Sequence, residues 1–332
     1  MSELAIIGGG SWGTALAIVL APRFARIRLW VYEGDLAERM RATRENDLYL
    51  PGFRLPANIE VENEFQSVLP GASMVLSVMP SHLVRPLYTR MKPWLEPGMT
   101  FASATKGLEN NSLLRASEVI RECLGPQFEP RVAVISGPTF AREVARGDPT
   151  ALVVACADHA VAASIQTAFS GPTFRLYTSL DPAGVEIGGA VKNVVAIGAG
   201  VCHGLGLGSN TQAALITRGL AEMTRLAVAL GGRPQTLAGL AGLGDLVLTC
   251  SGELSRNRTV GLELARGRKL DEIVGSMKMV AEGIKTTTAT IDLARNRQVE
   301  MPICTQMFEM LNFGLPPQDA IRRLMERSLK IE

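Results

Sequence analysis

Cysteine and histidine are few in this 332-residue chain, and each shortage removes a class of chemistry. The five cysteines, Cys123, Cys156, Cys202, Cys250 and Cys304, are scattered, odd in number and form no CxxC pair. That usage suits reduced thiols in a cytosolic compartment and excludes a disulfide framework. Each reads as a small core hydrophobe. The three histidines, His82, His159 and His203, lie far apart; Cys156 and His159 could form half of a zinc site, but no second half follows, so no metal is expected. A formal net charge of +2 gives no electrostatic case for nucleic-acid binding, although a small anionic substrate needs only a few local cations. No apolar run reaches 18 residues without a charge, so no membrane span is expected. The opening LAII has no basic region or cleavage site and is not read as a signal peptide. The closing LKIE is not a peroxisomal address.

What is present is ordinary in bulk and informative in arrangement. At 47% hydrophobic and 20% charged residues the composition is that of a globular protein, and the length suggests two domains. Short β-branched runs occupy 4–7, 27–31, 74–78, 99–103, 132–136, 151–155 and 173–177. Amphipathic stretches such as TALAIVLA (14–21) and LLRASEVIRECL (113–124) lie between several of them. This alternation predicts βαβ units, hence a doubly wound, mainly parallel sheet with helices on both faces. From Asp181-Pro182, an N-cap followed by proline at the first helical position, the pattern turns helical. The expected organisation is an α/β dinucleotide-binding domain over 1–180 followed by an all-helical substrate domain over 181–332.

After the first strand comes GGGSWGTALA, in which Gly8, Gly10 and Gly13 have GxGxxG spacing between a strand and a helix. Glycines at that spacing allow a tight turn, backbone approach to a pyrophosphate and close helix packing, with phosphates at the positive helix end. The second strand ends at Tyr32-Glu33, and Glu33 is the candidate for a ribose hydroxyl of NAD. Arg41 and Arg44 follow and could attract a 2′-phosphate, which leaves NAD against NADP open.

Ligands of open α/β sheets bind beyond the carboxyl ends of the strands, which directs attention to VMPSH (78–82), SATKGLE (103–109) and SGPTFAREV (136–144). Lys106 stands at such an edge; Gly137 offers close backbone approach, Thr139 a hydroxyl and Ala141 a helix start. In the helical half, IGGAVKNVVAIGAG (187–200) carries one charge, Lys192, among glycines and aliphatics. Gly188 and Gly189 are expected to leave room beside it for a cofactor ring and substrate. Asp245, alone in AGLGDLVLTC, is the candidate carboxylate partner, since an opposite charge favours the protonated lysine. Ser255, Arg256, Asn257 and Arg258 open a further helix and read as a phosphate site.

Together GGGSWGTALA, ATKGLE, VISGPTFARE, GGAVKNVVAIGAG, AGLGDLVLTC, SRNR and VAEGIKT resemble the NAD(P)-dependent glycerol-3-phosphate dehydrogenases, the bacterial type especially, in order across nearly the whole chain. The resemblance implies a Rossmann-like domain, NAD or NADP as cofactor, no metal, and reversible reduction of dihydroxyacetone phosphate to sn-glycerol 3-phosphate for phospholipid synthesis. It implies Lys192 as proton donor or acceptor with Asn193 beside it, and Lys106 in contact with substrate and cofactor. Gly137 and Thr139 then line the substrate site, Asp245 orients Lys192, and Ser255, Arg256 and Asn257 hold the phosphate. Ser11, Trp12, Tyr32, Ala141, Arg256, Val280 and Glu282 match cofactor positions. A cytoplasmic homodimer is expected. Two rivals are a β-hydroxyacid dehydrogenase, which would recognise a carboxylate, and a catalytically silent dinucleotide-binding regulator.

Overall fold

The computed structural model describes residues 2–128, 131–277, 279 and 281–329. Ten strands form: β1 (Glu3–Ile7), β2 (Arg26–Trp30), β3 (Glu45–Asn46), β4 (Leu50–Arg54), β5 (Ile59–Glu62), β6 (Met74–Ser77), β7 (Thr100–Ser103), β8 (Val132–Ser136), β9 (Thr150–Ala155) and β10 (Phe174–Ser179). Eight of them make one sheet in the order β10-β9-β8-β7-β6-β1-β2-β5. Its pairings are parallel except β8 with β9, so the last two strands run against the rest. The seven runs expected from sequence all become strands of this sheet. The eighth, β5, is a short edge strand whose outward residues are exposed or half-buried, and IEVE lacks the apolar continuity of its neighbours. β3 and β4 form a small antiparallel hairpin through the proline- and glycine-containing LPGFR, which breaks the usual strand signal.

The chain leaves β1 toward β2 and β5, then returns to β6 on the other side of β1. That reversal makes a crevice at the carboxyl ends of β1 and β6. Two clusters of buried aliphatic and aromatic side chains cover the two faces of the sheet. The expected helix over 113–124 begins later, at Ala116–Leu124, because Leu113 has φ 61 and the backbone turns there first.

Beyond Ser179 the described residues are helical. Asp181 caps the 23-residue helix Pro182–Gly204 by accepting from the Gly184 N–H at 2.8 Å. This helix is long and apolar enough to cross a membrane, yet its window of highest hydropathy is wholly buried by the helices around it. Its glycines allow backbone-to-backbone packing. A Cβ on Gly200 would lie 1.9 Å from the Arg258 carbonyl oxygen, and one on Gly261 would lie 1.9 Å from that of Ile197. The helix Arg256–Ala265 is therefore pressed against the long helix, which brings Asn257 onto Asn193 with a 3.0 Å amide bond.

Candidate active site

The glycine loop follows β1 and opens the helix Ser11–Leu20. Gly8 has φ 124, and a Cβ there would lie 2.1 Å from the Val78 carbonyl oxygen. A Cβ on Gly13 would meet the Gly8 oxygen at 1.8 Å, so these two glycines are required by packing within the protein. Gly10 differs: nothing lies within 4 Å of its absent side chain. It is the N-cap residue and supplies no side-chain cap, so the first amides of the helix remain for a ligand. Trp12 adds a buried indole N–H with no partner in the protein. These features fit a dinucleotide pyrophosphate.

Tyr32, 71% exposed, and Glu33 follow β2. The Tyr49 hydroxyl, from the turn between β3 and β4, donates to Glu33 Oε1 at 2.7 Å and fixes the carboxylate. The guanidinium groups of Arg41 and Arg44 are engaged by backbone carbonyls. Arg41 donates to the Val61 carbonyl at 3.0 Å, and Arg44 to those of Ile59 at 2.9 Å, Leu55 at 3.4 Å and Pro56.

Lys106 lies just beyond β7 and Gly137 just beyond β8, along the same sheet edge as the glycine loop. Lys106 Nζ donates to the Gly137 carbonyl at 3.1 Å, to Thr139 Oγ1 at 3.4 Å and to Asp245 Oδ2 at 2.8 Å. The other carboxylate oxygen, Asp245 Oδ1, accepts from Lys192 Nζ at 2.5 Å. Asp245 is 0% and Lys192 5% exposed, so one buried carboxylate bridges two ammonium groups from opposite halves of the chain. Thr249 Oγ1 accepts from Lys192 at 2.8 Å and donates to the Asp245 carbonyl at 2.6 Å. Sequence reading passes over Thr249; its four-residue spacing from Asp245 on one helix is the signal that would find it.

Burial lowers the Lys192 pKa to about 7, aided by Lys106 and opposed by Asp245. A lysine so tuned can exchange protons near neutral pH. Gly188 and Gly189 do not open the expected room beside it. A Cβ on Gly188 would lie 2.5 Å from the Ala241 carbonyl oxygen, and one on Gly189 would lie 2.7 Å from Ser136 Oγ. They let the helix close onto its neighbours, which brings Lys192 to Asp245.

Ser255 caps the helix Arg256–Ala265 by accepting from the Arg258 N–H at 3.3 Å. Arg256 is exposed at its first position. Asn257 is buried, bonded to Asn193 and accepting from the Gly283 N–H at 2.9 Å. Glu282 begins the helix Glu282–Asn296 with Oε2 buried and unpartnered. Burial pushes its carboxyl up to about 8 despite the pull of Arg256, Lys106 and Lys192. Ala141 starts a short helix that packs on Ser11–Leu20, which places it beside the glycine-loop helix. Val280 lies outside the described residues. Among the described residues no group of three or more metal-type side chains converges. Burial raises the Cys250 thiol to about 12, so this cysteine near Lys192 is inert.

Residues 3–162 match the family model described as NAD-dependent glycerol-3-phosphate dehydrogenase N-terminus, and residues 181–322 match that of its C-terminus. The chain is 56% identical over 329 residues to the glycerol-3-phosphate dehydrogenase [NAD(P)+] of Koribacter versatilis, covering 98% of each chain. It is 49% identical to the enzyme of that name from Geobacter sulfurreducens, covering 100% of this chain and 99% of the other. The crystal structure of glycerol-3-phosphate dehydrogenase from Coxiella burnetii superposes with a TM-score of 0.94 at 42% identity, covering 98% of this chain and 99% of that one.

Proposed function

The chain belongs to the NAD-dependent glycerol-3-phosphate dehydrogenase family, and from that premise we propose how it interconverts dihydroxyacetone phosphate and sn-glycerol 3-phosphate. The observation that carries the reading is the buried Asp245 carboxylate shared by Lys192 and Lys106. NAD(P)H, when bound, supplies the hydride for the substrate's carbonyl carbon. Negative charge then builds on the carbonyl oxygen, where the Lys192 ammonium stabilises it and donates a proton. Asp245 and Thr249 aim that ammonium from buried positions. In the reverse direction neutral Lys192 accepts the hydroxyl proton.

Lys106 supplies a second cation to substrate and cofactor, steadied by Gly137 and Thr139. Asn193, held by Asn257 and next to Lys192 in the chain, is assigned to the substrate as well. We assign the substrate phosphate to Arg256 with Ser255 and Asn257 at the start of a ten-residue helix, because a guanidinium can grip phosphate with two parallel bonds and a helix N-terminus favours an anion. Gly8, Gly10, Ser11, Trp12 and Gly13 hold the pyrophosphate, with Ala141, Arg256 and Glu282 as further cofactor contacts. Tyr32 and Glu33 face the adenosine ribose. With Arg41 and Arg44 bonded to backbone carbonyls, the charge left to read that ribose is Glu33, which favours NADH.

We assign the two roles to residues 1–180 and 181–332; the last strand ends at Ser179 and the long helix starts at Pro182. The family resemblance further supports a cytoplasmic homodimer serving phospholipid synthesis. The test is one assay following oxidation of NADH and of NADPH with dihydroxyacetone phosphate, unphosphorylated dihydroxyacetone and 3-keto acids. Turnover confined to the phosphoester is the expected result. Preference for a keto acid would favour the hydroxyacid dehydrogenases, and cofactor binding without turnover would favour a silent regulator.

A further inference from the structure

The long apolar helix carries a second buried charge that the reaction does not use. Glu186 is 7% exposed and lies six residues before Lys192. Its carboxylate accepts from the Ser117 N–H at 2.8 Å, the Ser117 hydroxyl at 2.6 Å and Arg115 Nη1 at 2.7 Å. A carboxylate is kept out of water only with such partners. Here both partners come from the other half of the chain, at the start of the helix Ala116–Leu124.

Arg115 also closes a small hairpin. Leu108 and Arg115 form an antiparallel bridge, and the Glu109 N–H donates to the Leu114 carbonyl at 3.0 Å. Lys106 stands two residues before Leu108. Leu108, 1% exposed, inserts among the core side chains of the helical half, and Leu113 packs on the same cluster. Leu113 has φ 61, a left-handed backbone that a branched residue keeps only when its surroundings hold it. Gly107 passes between Ser81 and Glu282: a Cβ there would lie 2.7 Å from Ser81 Oγ and 3.1 Å from Glu282 Oε2. Gly189, one turn after Glu186, continues the contact, since its Cβ would lie 3.7 Å from Lys106 Cγ.

We infer that Glu186, through Arg115 and Ser117, is a positioning residue that fixes the Lys106 hairpin to the helix bearing Lys192. The two ammonium groups then meet the two oxygens of Asp245 at the same time. Glu186 touches no substrate and acts through the placement of Lys106. The inference rests on the proposed roles of Lys106 and Lys192.

The test is steady-state kinetics of Glu186→Gln, which keeps the shape and removes the charge facing Arg115. Turnover falls by about ten- to a hundredfold, because a small displacement of a reacting group is costly. The KM for NADH rises less than turnover falls, because the glycine-loop and ribose contacts are elsewhere and only the Lys106 contact to the cofactor is disturbed. In a Lys106→Met background the same substitution costs less than about twofold more, since no ammonium is left to misplace. Equal losses in both backgrounds would show that Glu186 serves the fold alone and overturn the inference. If Glu186→Gln does not fold, Ser117→Ala removes only the hydroxyl and its two hydrogen bonds, to Glu186 and Arg115, and must show a smaller loss with the same dependence on Lys106. Wild-type turnover in Lys106→Met would instead overturn the site reading, and the clamp with it.

Discussion

The glycine loop and the lysine pair stand at the same edge of the sheet and are built in opposite ways. The loop is local: ten consecutive residues, and its binding groups are backbone amides at one helix start. The lysine pair is distributed: Lys106, Lys192 and Asp245 come from three elements, and the bonds joining them span 139 and 53 residues of chain. A backbone site depends on the absence of side chains at a few positions. A side-chain site depends on the whole fold bringing charges together in a dry place, where their mutual effects are large. The first kind tolerates change poorly at its glycines; the second fails at any one of its charged members.

The distributed half should break most completely. Lys192→Met replaces a buried ammonium by an apolar chain of similar length, so the fold should persist. Turnover should drop by about a hundred- to ten-thousandfold, the range of general acid–base contributions. NADH affinity, measured by quenching of tryptophan fluorescence, should stay near wild type. Near-normal turnover in the folded variant would remove Lys192 from the chemistry.

The phosphate clamp comes next. Hydrogen bonds to charged groups are each worth about 1.5–3 kcal/mol, so Arg256→Ala should lose about 2–4 kcal/mol at the transition state. That is about thirty- to a thousandfold in kcat/KM for dihydroxyacetone phosphate. Lysine should restore it only in part, because it lacks the planar fork. Dihydroxyacetone, already a poor substrate, should lose little more. Equal losses for both substrates would assign Arg256 to the cofactor or the fold.

The loop should break in two distinguishable ways. Gly13→Ala forces a methyl to 1.8 Å from the Gly8 oxygen and should lower the melting temperature of the ligand-free protein, with an overpacking cost of about 1–3 kcal/mol. Gly10→Ala meets nothing in the protein and should leave that temperature unchanged. Its cost should appear on adding NADH, as about 1–2 kcal/mol of lost phosphate bonding, or about five- to thirtyfold in affinity. If Gly10→Ala binds NADH normally, the pyrophosphate does not lie on that amide.

The smallest effect concerns Glu33, a side chain serving the backbone-built site. Glu33→Ser should shift preference toward NADPH by about 1–2 kcal/mol, the worth of a hydrogen bond and a removed repulsion. The ratio of kcat/KM for the two cofactors measures it. An unchanged ratio would place ribose reading elsewhere.

This same contrast governs what could be read before the fold was known. The GxGxxG spacing, seven of the sheet's eight strands and the Asp181-Pro182 helix start are contiguous signals, and the structure contains each of them. Lys192 stands out because it is the one charge in the apolar run 187–200, which needs a reason. The geometry around it was not legible, since nothing local says that Asp245 meets two lysines or that Thr249 completes the set. Gly188 and Gly189 show the limit well: a missing Cβ marks close approach, but sequence does not say whether a ligand or another segment approaches. Here Ala241 and Ser136 fill the space. Arg41 and Arg44 are a second case, because carbonyls brought near by the edge strand engage both guanidinium groups. Glu186 escaped notice for a third reason: glutamate in a helix is ordinary until the helix proves buried on every side.

The central claim is that one proton moves through Lys192, whose ammonium is made more acidic by burial, with a pKa of about 7. Its most direct test is the pH dependence of kcat/KM in both directions between pH 6 and 9, a window chosen to straddle about 7. Reduction needs Lys192 protonated, so it should weaken as the pH rises through that midpoint. Oxidation of glycerol 3-phosphate needs the neutral amine and should strengthen over the same interval, with Lys192→Met losing both trends. A reduction rate that stays level to the alkaline limit would contradict the account, as would a titration that survives in Lys192→Met combined with Glu282→Gln, which removes the neighbouring carboxyl near 8.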